Sequence, residues 1–117
     1  MKTIIAGSRD ITELHLVEDA IWNSDFLISE VVCGGARGVD RLGWEWAVAH
    51  RKPVRSFIPD WDGKGKGAGF ARNQEMADYA DALIAVWDGV SRGTKDMIDR
   101  AQKKGLKVYI YECPTMP

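Results

Sequence analysis

The sequence predicts an α/β domain: a doubly wound sheet of five parallel strands in the order 3-2-1-4-5, with helices on both faces. Three observations point there. Short apolar runs alternate with amphipathic stretches along the chain, and strict alternation implies right-handed crossovers and a parallel sheet. The run 82–87 is apolar at every position, as expected of a strand buried on both faces. Glycine clusters follow the first, second and fourth runs, where the loops at the carboxyl edge of such a sheet belong.

The elements follow in order. Residues 2–6 form the first strand. Residues 12–24 form a helix, with Thr12 in the N-cap position and Leu14, Val17 and Ile21 along one face. Residues 28–33 are the second strand, and 38–51 the second helix, with Val39, Leu42, Trp46 and Ala49 at helical spacing. Gly43 is either a weak point in that helix or a place where another element packs close. Pro53 stops the helix before a third strand at 54–58. Residues 59–68, rich in glycine and lysine, read as a flexible loop able to close over a ligand. A helix at 69–79, the fourth strand at 82–87 and a helix at 94–104 come next. Gly105 is a good residue to end that last helix. Residues 107–111 make the last strand, so the domain covers 1–113 and the tail 114–117 is expected to fray.

Composition narrows the function. The 117 residues are 45% hydrophobic and 28% charged, and 16 basic side chains face 17 acidic ones for a net charge of -1. That is an ordinary globular balance. It argues against wholesale binding to duplex DNA, which calls for a basic excess, so a nucleic-acid partner is not the first expectation. The apolar run at the N-terminus is far too short for a signal peptide or a membrane span. The expectation is a cytoplasmic protein with no membrane partner. Cys33 and Cys113, at strand ends, read as reduced buried thiols. His15 and His50 have no partner at metal-ligand spacing.

The chemistry lies in the loops. The first strand ends in Gly7-Ser8-Arg9-Asp10, the second in Gly34-Gly35-Ala36-Arg37-Gly38-Val39-Asp40, the fourth in Asp88-Gly89-Val90-Ser91-Arg92-Gly93-Thr94. In the order 3-2-1-4-5 these strands are neighbours. A glycine loop leading into a helix points free N–H groups at one spot, where the helix dipole favours an anion. Ser8, Ser91 and Thr94 add hydroxyls, and Arg9, Arg37 and Arg92 add charge. A phosphate is the natural guest, and any Mg²⁺ would ride on the phosphates, since no dedicated metal cage is visible. Arg72 and Asn73 open the helix at 69–79, and Arg72 is a better phosphate candidate than Lys64 or Lys66 in the preceding loop. Trp61 and Trp87 sit beside loops and either stack on a base or pack. Neither the dinucleotide fingerprint nor a Walker A pattern is present. Gly89-Val90-Ser91-Arg92-Gly93 has nucleophile-elbow spacing but lacks the Asp and His that should follow it.

The stretches at 7–10, 34–41, 59–76 and 88–97, taken together and in order, resemble the YspA-type branch of the SLOG superfamily, which also holds the DprA and LOG (lysine-decarboxylase-like) proteins. The resemblance covers nearly the whole chain. It implies a Rossmann-like sheet and a site for a nucleotide or nucleotide-derived ligand, in a group found in phages and bacteria. Its members often form dimers, for which Trp22 and Trp44 could supply surface. LOG-type phosphoribohydrolases carry a glutamate in the motif that matches 88–97. Met97 stands in its place here, and a thioether cannot act as acid or base.

Three functions remain open on these residues. The first is a nucleotide-binding sensor or sequestering module. The second is a hydrolase of a nucleotide N-glycosidic or phosphate bond, with Asp88, Asp40 or Asp10 as its carboxylate. The third is DprA-like binding of single-stranded DNA, to which Gly34–Arg41 and the Lys64/Lys66 loop would contribute.

Overall fold

A computed structural model describes residues 1–113, apart from the side chains of Lys64 and Lys66. The tail at 114–117 lies outside the described residues. Five strands, β1 (Lys2–Gly7), β2 (Glu30–Cys33), β3 (Val54–Ser56), β4 (Ala82–Trp87) and β5 (Lys107–Glu112), form one sheet in the order β3-β2-β1-β4-β5. All four pairings are parallel. The helices are α1 (Leu14–Ser24), α2 (Val39–Ala49), α3 (Trp61–Lys64), α4 (Ala68–Tyr79) and α5 (Arg92–Lys103).

The strands sort their side chains by the two-residue period. Ile4, Ala6, Leu83 and Ala85 point to one face, where they meet Met76, Ala77 and Ala80 of the α4 segment and Met97, Ile98 and Ala101 of α5. Ile5, Val31, Ile84 and Val86 point to the other, against Val17 and Ala20 of α1 and Val39, Leu42 and Ala47 of α2. Ile4, Ile5, Leu83 and Ile84 are fully buried, each contributing about 1.5–3 kcal/mol. A Cβ on Gly43 would sit 2.8 Å from Ile5 Cγ2, so this glycine lets α2 lie directly on β1.

Several expected boundaries move. Glu13, not Thr12, precedes the first turn of α1, and no side chain caps it. Leu14 and Leu16 pack where the chain enters that helix, and the turn starts from them. On α2 the buried position is Ala47 rather than Ala49, which is exposed. β2 and β3 are shorter than predicted, and α5 begins at Arg92. Phe57 N still donates to Cys33 O (2.8 Å), but the chain then turns out to an exposed Ile58 and to Pro59, and β3 ends at Ser56.

The expected loop at 59–68 is the largest correction. It holds the helical turn α3 and a 3-10 turn at Gly65–Gly67, running straight into α4. Asp60 starts it: its Oδ1 accepts from Gly63 N at 2.9 Å, an N-cap that outweighs the weak helix preference of glycine. Gly65 ends the turn at φ 57, with its N–H on Trp61 O.

The architecture sets where a ligand belongs. The chain leaves β1 toward α1 on one face and leaves β4 toward α5 on the other, so the winding reverses between these neighbours. Clefts in doubly wound sheets open beyond the carboxyl ends of such a pair.

Candidate functional site

The loops after β1, β2 and β4 are fastened together by Ser8. Its N–H donates to Val86 O (3.1 Å), its carbonyl accepts from Val39 N (3.3 Å) and Ile11 N (3.4 Å), and its hydroxyl accepts from Asp88 N (3.0 Å). Gly38 takes φ 77 beneath this junction, and a Cβ there would lie 2.5 Å from the carbonyls of Ser8 and Arg9. Ser8 is 1% exposed. It was a candidate ligand hydroxyl, but its position is inside this junction.

Asp88 is engaged in the same way. Its Oδ1 accepts from Val90 N (2.9 Å) and Ser91 N (2.8 Å). Desolvation works to raise its pKa, but these N–H groups and the Ser8 hydroxyl together hold it below the usual carboxylate range. Trp87 donates Nε1–H to Ser91 O (3.1 Å) and packs against the core. Asp10 is exposed, and Gly89 turns the loop at φ 87. None of these lines the clefts described next.

Beyond β1 and β4 opens a cleft of about 260 Å³. Ala6, Met76 and Met97 form its apolar floor. Gly7, Arg9, Asp40, Arg72 and Asn73 border it on one side, and Ser91, Gly93 and Thr94 of the α5 N-terminus on the other. A second cleft, of about 300 Å³, adjoins it and shares Arg9, Ala36 and Arg72. There Gly34, Gly35 and Arg37 face Ile58, Pro59 and Trp61, a residue 53% exposed. The structure thus brings together Gly7, Arg9, Gly34, Gly35, Arg37, Asp40, Trp61, Arg72, Asn73, Ser91, Gly93 and Thr94 around two connected spaces.

The first turn of α5 is open to an anion. Arg92, Gly93 and Thr94 have no carbonyl one turn back to receive their N–H groups. Ser91 caps none of them with its side chain, and the turn holds no acidic residue. The Thr94 hydroxyl donates to Ser91 Oγ (3.1 Å), which leaves the Ser91 proton free to point at a guest.

Arg72 reaches this space from α4. It donates Nη1–H to Gly34 O and Nε–H to Asn73 Oδ1 (3.0 Å). A Cβ on Gly34 would meet the Arg72 guanidinium and lie 2.9 Å from Asp40 Oδ2, so only glycine leaves room for both. Burial lowers the Arg72 pKa, Asp40 opposes that and Arg9 adds to it; a guanidinium stays charged regardless.

Asn73 is 4% exposed and holds the arginine in place. Its Nδ2 donates to Gly93 O (3.2 Å) and Asp96 Oδ2 (3.0 Å). Asp96 also accepts from Arg100 Nε (2.8 Å), and Arg100 Nη1 donates to Gln74 Oε1 (3.0 Å). This chain of bonds joins α4 to α5 behind the cleft. Sequence reasoning missed Asp96; its only signal was the four-residue spacing to Arg100.

Among the described residues Asp40 is the one carboxylate lining the two clefts. It is 5% exposed, and its Oδ2 accepts from Ala36 N at 3.3 Å. Burial raises its pKa to about 6, against the pull of Arg72 and of the backbone N–H groups of Ala36, Gly34 and Gly7. Cys33, also buried, is unpaired, as is the half-buried Cys113, and burial raises both thiols. Among the described residues no group of three or more His, Cys, Asp or Glu could hold a metal ion, and no helix is long and apolar enough to cross a membrane.

Comparison with known proteins follows the same lines. Residues 1–63 match the model of the YspA, cpYpsA-related SLOG family. The Gene 61 protein of Mycobacterium phage D29 is 36% identical over 118 residues, covering 92% of this chain and 93% of that protein. Among solved structures, DNA processing protein A (DprA) from Streptococcus pneumoniae superposes with a TM-score of 0.75 over 93% of this chain, at 20% identity. The chain spans about half of DprA, 49% of its length, and the likeness is one of fold.

Proposed function

This chain belongs to the YspA, cpYpsA-related SLOG family, and from that premise we propose that it binds a nucleotide or nucleotide-derived ligand by its phosphate, as a sensor or sequestering module. The observation that carries the reading is the open, acid-free first turn of α5 facing Arg9 and Arg72 across one cleft. Free N–H groups, a helix dipole and guanidinium groups around one space favour a phosphate. The adjoining cleft supports the rest of the ligand. Trp61 offers a flat, half-exposed face next to Pro59 and Arg37, suited to stacking a base. Any Mg²⁺ would arrive on the ligand's phosphates, as Asp40 is the one carboxylate that the described residues bring to the clefts.

A second reading rests on Asp40. A carboxyl with a pKa near 6, buried beside an arginine in the same cleft, has the chemistry of a general acid. In that reading the protein hydrolyses its nucleotide. Asp88 and Asp10, the other two candidates, are respectively engaged with loop N–H groups and away from both clefts.

The test is to incubate the protein with a nucleotide pool and to follow bound and free fractions by chromatography and mass spectrometry. Retention of one compound intact supports the binding module. Its disappearance with release of a base or phosphate supports the hydrolase, and then Asp40→Asn should abolish turnover. A single-stranded oligonucleotide belongs in the pool as well, given the name of the structural neighbour. Retention of the oligonucleotide alone would overturn the nucleotide reading.

Two substitutions then map the site by calorimetry. Arg72→Met is expected to weaken nucleotide binding about tenfold or more, the loss of one hydrogen bond to a charged group. Trp61→Ala is expected to weaken it about fivefold while leaving the affinity for inorganic phosphate unchanged. Equal losses for both probes would remove Trp61 from the base site.

A further inference from the structure

A third cleft, of about 270 Å³, opens on the α2 side of the loop after β2. It lies where the edge strand β3 ends at Ser56 and the chain turns away. Gly35 and Ala36 border both this cleft and the second ligand cleft, and Asp40 borders both this cleft and the first. The loop 34–36 is thus a thin partition with a hollow on either side. Arg9, Arg72 and the first turn of α5, on which the phosphate reading rests, do not border the third hollow.

The lining selects a kind of guest. Trp44 of α2 is 41% exposed, with the Arg41 guanidinium 5.4 Å from its ring centroid. That cation steadies the indole from one face, and an indole bordering a cleft stacks best on another flat ring. Arg41 Nε also lies 3.7 Å from Glu45 Oε1, so its charge is already answered. Cys33 is 3% exposed, and its thiol sits 3.5 Å from the Ser56 hydroxyl, a weakly polar surface. Asp40, 5% exposed, is the polar anchor. A carboxylate has room for about four hydrogen bonds. The backbone N–H groups of Ala36, Gly34 and Gly7 lean on this one, which leaves a place for an N–H donor of a guest. An anion would meet Asp40, and a cation would meet Arg41, with Arg72 acting on Asp40 from the far side. The volume lies just under the usual range for drug-sized ligands and suits one or two fused rings. We propose that this cleft is a second binding site, for an uncharged, flat heteroaromatic molecule that stacks on Trp44 and donates an N–H to Asp40. Such a guest needs no phosphate, so the site stands whether or not the other clefts take a nucleotide.

Adenine and benzimidazole are the probes, titrated separately into the isotope-labelled protein and followed by NMR. The Trp44 indole signal and the amides of Gly35, Ala36 and Arg41 should shift together, with a dissociation constant in the millimolar range or below. Trp44→Ala should weaken the binding reported by those amides about fivefold or more. Trp44 is partly exposed, so the fold should survive its loss, and unchanged amide signals away from the cleft check this. Trp61→Ala, on the other side of the partition, should leave that binding as it was. N-methylbenzimidazole has the same rings without the N–H and should bind about tenfold more weakly than benzimidazole. Titrations that leave the Trp44 indole and the three amides unmoved overturn the proposal. So does binding that Trp44→Ala leaves equally tight or that Trp61→Ala abolishes, since the guest would then lie in the second ligand cleft. Equal affinity for the methylated ring would remove the bond to Asp40, and with it the class of guest named here.

Discussion

Replacing Gly7 with alanine is expected to cost more than about 3 kcal/mol and to leave little folded protein. Gly7 ends β1 where three elements converge. A Cβ there would lie 2.0 Å from the Val86 carbonyl oxygen and 2.8 Å from Val39 Cγ2. The first is backbone in the neighbouring interior strand β4, and it already accepts the Ser8 N–H. The second is a fully buried side chain at the start of α2. Neither can move without pulling β1 from β4 or lifting α2 off the sheet, so overpacking here has no inexpensive relief. Gly93→Ala is the matched control, because nothing lies within 4 Å of a Cβ at that position. Urea melts followed by circular dichroism decide it. A Gly7→Ala protein within about 1 kcal/mol of the wild type would show that the junction packs otherwise than described.

The second large effect is a pH dependence centred on Asp40. Its pKa rises from the ordinary 3.8 to about 6, mainly through burial. The folded chain therefore holds this proton more tightly than the unfolded chain does. The stability so gained is complete below pH 3.8 and is lost as the pH rises through about 6. A shift of about two units corresponds to a loss on the order of 3 kcal/mol. Asp40→Asn keeps an oxygen for the Ala36 N–H and cannot ionise. Its stability should lack this decline, so at pH 8 it should be the more stable protein. Urea melts of both proteins at several pH values isolate the effect, because all other groups cancel in the difference between the two profiles. Parallel profiles would mean that Asp40 titrates as an ordinary carboxyl. If the variant is the more stable protein at pH 8, a stability deficit retained in the natural sequence points to a use for the charge beside Arg72, whether in binding or in turnover.

Much of the fold was legible because burial imposes it. Ala82–Trp87, apolar throughout, is the interior strand β4, and alternation of strand and helix left few topologies besides the one observed. The glycine clusters marked the carboxyl edge for the same reason: close approach there admits no Cβ, as Gly7, Gly34 and Gly38 each show. Less legible was which polar group faces a ligand and which holds a loop. Ser8 and Ser91 look alike in the sequence, yet the Ser8 oxygen is taken by an N–H that is 80 residues away. Asp88 and Asp40 both follow strands, but one answers the N–H groups of its own turn while the other is folded under Ala36 into the cleft. Such partners are set by tertiary contacts that periodicity does not encode. The stretch 61–67 failed for a local reason. Its glycines argue against helix, and a single cap at Asp60 decides otherwise. Trp22, named from the resemblance alone as surface for a partner, is 85% exposed, although a tryptophan on an amphipathic helix ordinarily packs into the core.

The Ser8 junction also bears on how quickly a guest is captured. Loops that are already bolted to one another do not have to find each other when a ligand arrives. Encounter should then be limited by diffusion and by the attraction of Arg9, Arg37 and Arg72 rather than by a closing step, and the on-rate should fall as salt is added. Related nucleotides should enter at similar speeds and differ in how long they stay. Discrimination among them would thus be written in residence time.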